Sequence, residues 1–314
     1  MLKELKENLG KVIIGRPEVI DKVIVATLTG GHVLLEDVPG TGKTTLARAL
    51  ALSFSAKFKR IQFTPDLLPT DITGITIYDL KTKEFKIRFG PVFSHFVLAD
   101  EINRGTPKTQ SALLEAMSEG RVTIEGQSYE LDKPFMVIAT ENPIEFEGTF
   151  PLPEAQLDRF IMKFSMGYPS REKEKEILVK KKEKLPIDEL KPVSDVDELL
   201  KVQDEVKKVF VHPEVAGYIV DVIRATRNHR DLYLGASPRA SLFLMRTAQA
   251  WAYYQGRKFV LPDDVKRSVG DVLNHRVVLR ADAKLRGIKI SDVMDDVVKS
   301  VEVPVLENYS KEGV

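Results

Sequence analysis

The sequence predicts an α/β domain, a parallel sheet flanked by helices, followed by a smaller all-α domain. Three observations carry this. Up to about Gly167, short apolar runs alternate with helical patterns. After Tyr168-Pro169-Ser170 the strand-like runs stop and helical patterns fill the remainder. Between an early apolar run and a helix-forming run lies a glycine-rich loop, Asp37-Val38-Pro39-Gly40-Thr41-Gly42-Lys43-Thr44. Runs apolar throughout suit parallel strands buried on both faces, and their alternation with helices implies βαβ units. The domains are set at residues 1–168 and 169–314.

Taken in order, Met1-Leu2-Lys3-Glu4-Leu5-Lys6-Glu7 reads as an amphipathic helix and lacks the apolar core of a signal peptide. Strands are expected over residues 32–36, 57–63, 95–99, 135–140 and 161–166. Helices fall between them over 17–28, 43–55, 107–119 and 153–158. In the second part helices are expected over 171–184, 196–209, 213–228, 238–254, 262–275 and 290–298. Several open on Pro, Ser or Asp, which suit a first helical turn. Two hairpins interrupt the α/β pattern, over about residues 75–89 and 121–131. The first has alternating arms around Lys81-Thr82-Lys83, and the second turns at Gly126-Gln127. No internal repeat or low-complexity linker is visible.

Composition narrows the function. With 314 residues, 43% hydrophobic and 30% charged, the chain can bury two cores beneath a well-solvated surface. A net charge of +1 lacks the basic footprint of a nucleic-acid binder, so nucleic acid is not the expected partner. The absence of cysteine excludes disulfides, thiolate metal sites and cysteine nucleophiles. No apolar stretch is long enough to span a bilayer. A cytoplasmic location is the expectation.

The glycine-rich loop is the strongest chemical signal. Between strand and helix its backbone N–H groups can turn inward as an anion nest at the positive end of a helix dipole. Pro39, Gly40, Thr41, Gly42, Lys43, Thr44 and Thr45 then form a nucleotide-binding segment. Lys43 reaches the β- and γ-phosphates, and the Thr44 hydroxyl ligates Mg²⁺. Asp37 stands where the first glycine is usual, which asks for a turn that Asp tolerates. Phe96-Val97-Leu98-Ala99 is a second buried strand, and it delivers Asp100 and Glu101 at its carboxyl end, where open α/β sheets bind ligands. Asp100 is placed for the Mg²⁺ shell and Glu101 for polarising a water. Asn142 tips a third strand before Pro143, as a hydrogen-bond donor to water or γ-phosphate, or as a turn-forming Asn-Pro. Arg159 ends a short helix, and Arg239 opens a later one behind Pro238. Either arginine can neutralise phosphoryl charge, although an arginine taken alone is more often a surface ion pair. His32 and His95 each begin a strand, packed or facing solvent, and neither receives a catalytic role.

The order of these motifs resembles an AAA+ ATPase, and more narrowly the MoxR family. The resemblance rests on Leu34 to Thr44, on Gln62-Phe63-Thr64-Pro65-Asp66-Leu67-Leu68-Pro69-Thr70-Asp71-Ile72-Thr73-Gly74, on Ala99-Asp100-Glu101-Ile102-Asn103-Arg104 with Lys108-Thr109-Gln110, and on Leu152-Pro153-Glu154-Ala155-Gln156-Leu157-Asp158-Arg159-Phe160. It spans about residues 10 to 280. It implies an α/β P-loop NTPase domain with an all-α lid, and the cofactors ATP and Mg²⁺. Lys43 and Thr44 become the Walker A pair, and Asp100 and Glu101 the Walker B pair. Asn142 becomes sensor 1, Arg159 the arginine finger acting in trans, and Arg239 sensor 2 in cis. Arg104 is the reserve finger. Ile14 and Gly15 would contact adenine, or else form a core edge. Asp37 is common in this family's pattern.

The family further implies a homo-oligomeric ring, expected to be a hexamer, that hydrolyses ATP at subunit interfaces. Its role would be chaperone-like remodelling, maturation or activation of partner proteins, including metal-cofactor insertion. Proteins with a von Willebrand factor A domain are the usual partners. A nucleic-acid-dependent motor, a nucleotide-gated scaffold and a magnesium-chelatase-like subunit are the alternatives. The two hairpins match the subgroup with extra hairpins around a central pore. They touch the client or stiffen subunit contacts.

Overall fold

The computed structural model describes residues 1–38, 40–143, 148–180 and 186–305, and the chain divides into two compact units. The first comprises Met1–Arg159 and Phe164–Leu200, the second Phe160–Lys163 and Lys201–Val314. The strands are β1 (His32–Glu36), β2 (Phe58–Gln62), β3 (Gly74–Asp79), β4 (Glu84–Phe89), β5 (Phe96–Asp100), β6 (Arg121–Ile124), β7 (Gln127–Glu130), β8 (Met136–Glu141) and β9 (Phe160–Phe164). Five of them form one sheet in the order β2-β5-β8-β1-β9. The pairings of β1 with β8, β8 with β5 and β5 with β2 are parallel. Every residue of β5 is buried, as are the first five of β8 and the first four of β1, so these strands are apolar runs without alternation.

The helices among them are α1 (Leu2–Gly10), α2 (Pro17–Thr29), α3 (Lys43–Ser53), α4 (Pro69–Thr73), α5 (Pro107–Glu119), α6 (Glu154–Leu157) and α7 (Arg171–Lys180). Pro17 and Pro107 occupy first turns, where a missing N–H costs nothing, and Thr106 caps α5 by accepting from the Thr109 N–H. The helix expected over 43–55 stops at Ser53 because Ser55 takes a φ of 50°. The end of the helix expected over 171–184 lies outside the described residues. The short α4 has no periodicity to reveal it. The region 169–200, read from its texture as part of the helical domain, groups with the first unit up to Leu200. The Asn8 amide donates to the Lys191 carbonyl (3.1 Å), and the Val193 and Ser194 N–H groups donate to the Ser53 carbonyl at 2.9 and 3.1 Å.

Both hairpins form. β3 and β4 pair from Gly74↔Phe89 to Asp79↔Glu84, and the Asp79 carboxylate accepts from the Lys81 N–H at 2.9 Å to close the turn. In β6–β7 the turn is Glu125-Gly126, one residue earlier than the sequence suggests. Both residues take positive φ, 48° and 84°, which matches the twist of the flanking strands.

The second unit carries α8 (Val196–Lys207, begun in the first), α9 (Pro213–Asn228), β10 (Leu232–Leu234), α10 (Pro238–Tyr254), α11 (Pro262–Leu273), β11 (Val278–Leu279), α12 (Ala281–Leu285) and α13 (Ile290–Ser300). Trp251 of α10 is buried, with the Arg267 guanidinium 3.5 Å from its ring centre. β10 and β11 pair antiparallel, a ribbon too short for its periodicity to be read in advance. His275 and Arg276 follow α11 and donate to the Phe160 carbonyl, which explains why the first residues of β9 group here.

His32 packs, as one of its two expected fates. Its Nε2 donates to the Met117 carbonyl (3.0 Å) and its Nδ1 accepts from the Val137 N–H (3.0 Å), fixing a neutral imidazole. Burial lowers its pKa from 6.5 to about 4. Between those values the unfolded chain binds the proton and the folded chain does not, so stability is lost as pH falls from about 6.5 toward 4. The loss expected from His32 is about 3 kcal/mol. Denaturant midpoints measured from pH 7.5 to 4.5 should show this slope, reduced in His32→Gln. Equal slopes in both chains would refute it.

Candidate nucleotide site

β1 ends at Glu36, and its pairing with β8 continues through an Asp37 N–H to Glu141 carbonyl bond (3.1 Å). The chain then turns through the glycine-rich loop into α3. Gly40 and Gly42 hold φ of 84° and 95°, conformations that side chains resist, and a Cβ at either would meet no atom within 4 Å. The glycines therefore serve the backbone conformation, and the space beside them is open. Pro39 lies outside the described residues. Thr44 is exposed and Thr45 half-buried in the first turn of α3.

Lys43 is buried, with its ammonium on the Asp37 carbonyl at 2.7 Å and the Val38 carbonyl at 3.5 Å. Desolvation lowers its pKa, against the raising influence of Asp37, Asp100 and Glu101. Three acids thus converge on one cation beside an open anion nest.

Asp37 needs no strained turn, contrary to the expectation from its place in the motif; it is not among the residues of positive φ. Its carboxylate instead accepts from the Ser165 hydroxyl (2.7 Å), the Met166 N–H and the Gly167 N–H (3.2 Å). A glycine could not tie the loop to residues 165–167. The same bonds draw those residues off the ladder, so β9 ends at Phe164 and not at 166.

The acids sit at the carboxyl end of β5. Asp100 accepts from the Thr140 hydroxyl at Oδ1 (2.7 Å) and from the Arg60 Nε and Nη2 at Oδ2 (3.0 and 2.6 Å). Glu101 is left-handed (φ 55°, ψ 52°), with its N–H held by the Thr140 hydroxyl at 2.8 Å. Its Oε2 accepts from the Gln62 amide (3.0 Å) and the Arg104 guanidinium (3.3 Å). Such strain persists only where the surroundings fix it, typically at functional sites. Asn142 is buried just past β8, and its carbonyl accepts from the Asn103 amide at 3.4 Å.

Asp37, Lys43, Asp100 and Glu101 therefore gather at one end of the sheet, with Asn142 following the central strand. Arg159 does not join them. It follows α6 and donates from Nη1 to the Leu114 carbonyl of α5 (3.2 Å), and no described bond links it to the loop. Arg104 lies against Glu101. Arg239 is exposed in the second unit, 5.5 Å from the Phe243 ring centre. Ile14 is half-buried, and Gly15 is exposed at a φ of 77°.

Arg60, Gln62 and Thr140 were not foreseen as site residues. Arg60 and Gln62 are charged and polar side chains on a strand otherwise headed by Phe58 and Ile61, a signal visible in the sequence. Thr140 sits in a strand with the expected apolar run, and only the parallel register of β5 and β8 brings it to the acids.

The residues present fit Mg²⁺–ATP. Among the described residues no group of three or more His, Asp or Glu side chains forms a cage for a bare ion. A magnesium ion carried by phosphates needs only one or two protein ligands, a role that the Thr44 hydroxyl and the Asp100 carboxylate would fill.

This combination defines an AAA-type P-loop ATPase fold. A model of the ATPase family associated with various cellular activities (AAA) matches residues 32–162, and an AAA lid domain model matches residues 224–297. The uncharacterized protein YeaC of Bacillus subtilis is 48% identical over 305 residues, covering 97% of this chain and 95% of its own. Chaperone MoxR1 of Mycobacterium tuberculosis is 42% identical, covering 96% of this chain and 82% of its own. A crystal structure of a candidate ATPase from Cytophaga hutchinsonii superposes with a TM-score of 0.90 at 40% identity, covering 96% of this chain and 94% of that one. The chain belongs to the MoxR family of AAA+ ATPases.

Proposed function

We propose that this protein hydrolyses ATP with Mg²⁺ at the subunit interfaces of a ring, a hexamer, and uses the cycle to remodel or activate partner proteins in the cytoplasm. The observation that carries the ATPase reading is the carboxyl end of the sheet. There the Gly40–Gly42 nest, Lys43, Asp100 and a doubly held Glu101 stand together.

Thr44 and Asp100 would hold Mg²⁺, which would supply charge neutralisation at the phosphates, with Asp100 oriented by Thr140 and Arg60. Lys43 exchanges its loop carbonyls for phosphate oxygens. Glu101 takes the proton of the attacking water while Asn142 orients it. Arg159 completes the neighbouring subunit's site in trans, and Arg239 completes its own in cis. Ile14 and Gly15 flank the base. The named chaperone relative supports the remodelling role. Among the described residues no helix is long and apolar enough to cross a membrane.

The client class is proteins with a von Willebrand factor A domain, with metal-cofactor insertion as one outcome of their maturation. The test is a Glu101→Gln trap incubated with native extract in ATP, with ADP and nuclease-treated controls, read by mass spectrometry. Recovery of a von Willebrand-type protein only with ATP supports the reading. Recovery of nuclease-sensitive DNA-bound proteins overturns it for a nucleic-acid motor. ATP-dependent recovery of a metal-chelatase partner assigns a chelatase-like subunit instead.

The first hairpin contacts the client in this reading. It exposes Ile75, Ile77, Tyr78, Leu80, Phe85 and Phe89, apolar side chains of the kind that mark a protein-interaction surface when they cluster. Deleting residues 81–83 should spare ATP turnover and abolish remodelling. Retained remodelling would leave the hairpin a stiffening element.

A further inference from the structure

Arg16 lies outside every motif discussed so far, yet it reaches the nucleotide loop. It precedes α2, and its carbonyl accepts from the Ile20 N–H at 3.2 Å, so the helix start fixes its backbone. From there Nη1 donates to the Thr41 carbonyl at 2.5 Å. The Asp37 charge acts on the same guanidinium. Its Nε is buried and finds no partner among the described residues. A buried orphan donor beside an anion nest asks for an explanation.

We propose that Arg16 is a positioning residue that holds the phosphate-binding loop in its binding-competent form. This rests on the nucleotide reading of the site and deepens it. In a trans peptide the C=O and the following N–H point in opposite directions. Fastening the Thr41 carbonyl on the α2 side therefore aims the Gly42 N–H away from Arg16, into the concave side of the loop. Gly42, on one side of that peptide, holds positive φ, and a glycine beside a peptide eases its rotation. A charged donor on the carbonyl stops this rotation and polarises the amide, strengthening its N–H toward an anion. Thr41 contributes a second restraint, its hydroxyl donating to the Val38 carbonyl at 3.3 Å. Arg16 thereby acts on phosphate recognition without touching the base.

The test is calorimetric titration of the full chain with ATP and, separately, inorganic tripolyphosphate, for wild type, Arg16→Met and Arg16→Lys. Melting temperatures and steady-state turnover are measured beside it. Arg16→Met should weaken both ligands by about tenfold, the worth of one charge-assisted hydrogen bond, and raise the KM for ATP similarly while kcat changes far less. Arg16→Lys, which keeps a charged donor, should recover part of the affinity. Unchanged affinities in Arg16→Met overturn the proposal. So does a loss confined to ATP with tripolyphosphate unaffected, which would assign Arg16 to the nucleoside. Arg16→Lys as weak as Arg16→Met, with both melting temperatures equally lowered, would reduce Arg16 to a structural cap. Lys43→Ala separates the two readings. If wild type and Lys43→Ala bind ATP equally, the nucleotide site itself is wrong.

Discussion

Arg159→Ala is expected to bind ATP with near-normal affinity and to hydrolyse it about a thousandfold more slowly or worse, the scale associated with removing an arginine finger. The physical reason is that a guanidinium stabilises charge that builds on the transferred phosphoryl only in the transition state. Its loss therefore falls on kcat rather than on binding. Arg159 follows α6 and donates to the Leu114 carbonyl, with no described bond to the glycine-rich loop of its own chain. Mixing is the decisive measurement. Arg159→Ala subunits keep an intact Glu101, and Glu101→Gln subunits keep an intact Arg159. Mixed rings should regain turnover that neither variant has alone. Normal hydrolysis by Arg159→Ala would pass the role to Arg104, which already contacts Glu101. Absence of rescue on mixing would place Arg159 in cis.

Glu101→Gln should lower turnover by about two to four orders of magnitude, the usual worth of a general base, while ATP stays bound. The glutamine is nearly isosteric. It keeps the left-handed backbone position, whose N–H bonds the Thr140 hydroxyl, and removes only the capacity to take a proton. Single-turnover hydrolysis and nucleotide retention after gel filtration would both report it. Turnover within tenfold of wild type would move the base elsewhere. Gln62 and Arg104 both hold the Glu101 carboxylate, so its position is restrained by the protein itself.

Much of the fold was legible because its signals are local. Apolar runs of five or six residues announce parallel strands, and prolines at helix starts mark α2, α5, α9, α10 and α11. The hairpins follow from alternation on both arms. What was not legible is short or long-range. The five-residue α4 and the β10–β11 ribbon have too few residues for a period to register. The texture change at residue 168 did not mark the compact units, because the Asn8 amide, donating to Lys191, and the Ser53 carbonyl, accepting from Val193 and Ser194, gather residues 191–194 back to the first unit.

For the site, the sequence alone supplied the candidate residues: a glycine-rich loop with Lys43 and Thr44, and two acids at a strand's carboxyl end. These motifs are contiguous, so their meaning survives without knowing what lies opposite. The tertiary structure decided what holds them. Parallel register places Thr140 between Asp100 and the Glu101 N–H, and the neighbouring strand supplies Arg60 and Gln62. Asp37 reads as a backbone accommodation in sequence and proves in space to be a carboxylate gathering Ser165, Met166 and Gly167. Arg16 reaches Thr41 across 25 positions. A motif records which atoms meet the ligand. The atoms that orient it come from distant parts of the chain, and only packing brings them together.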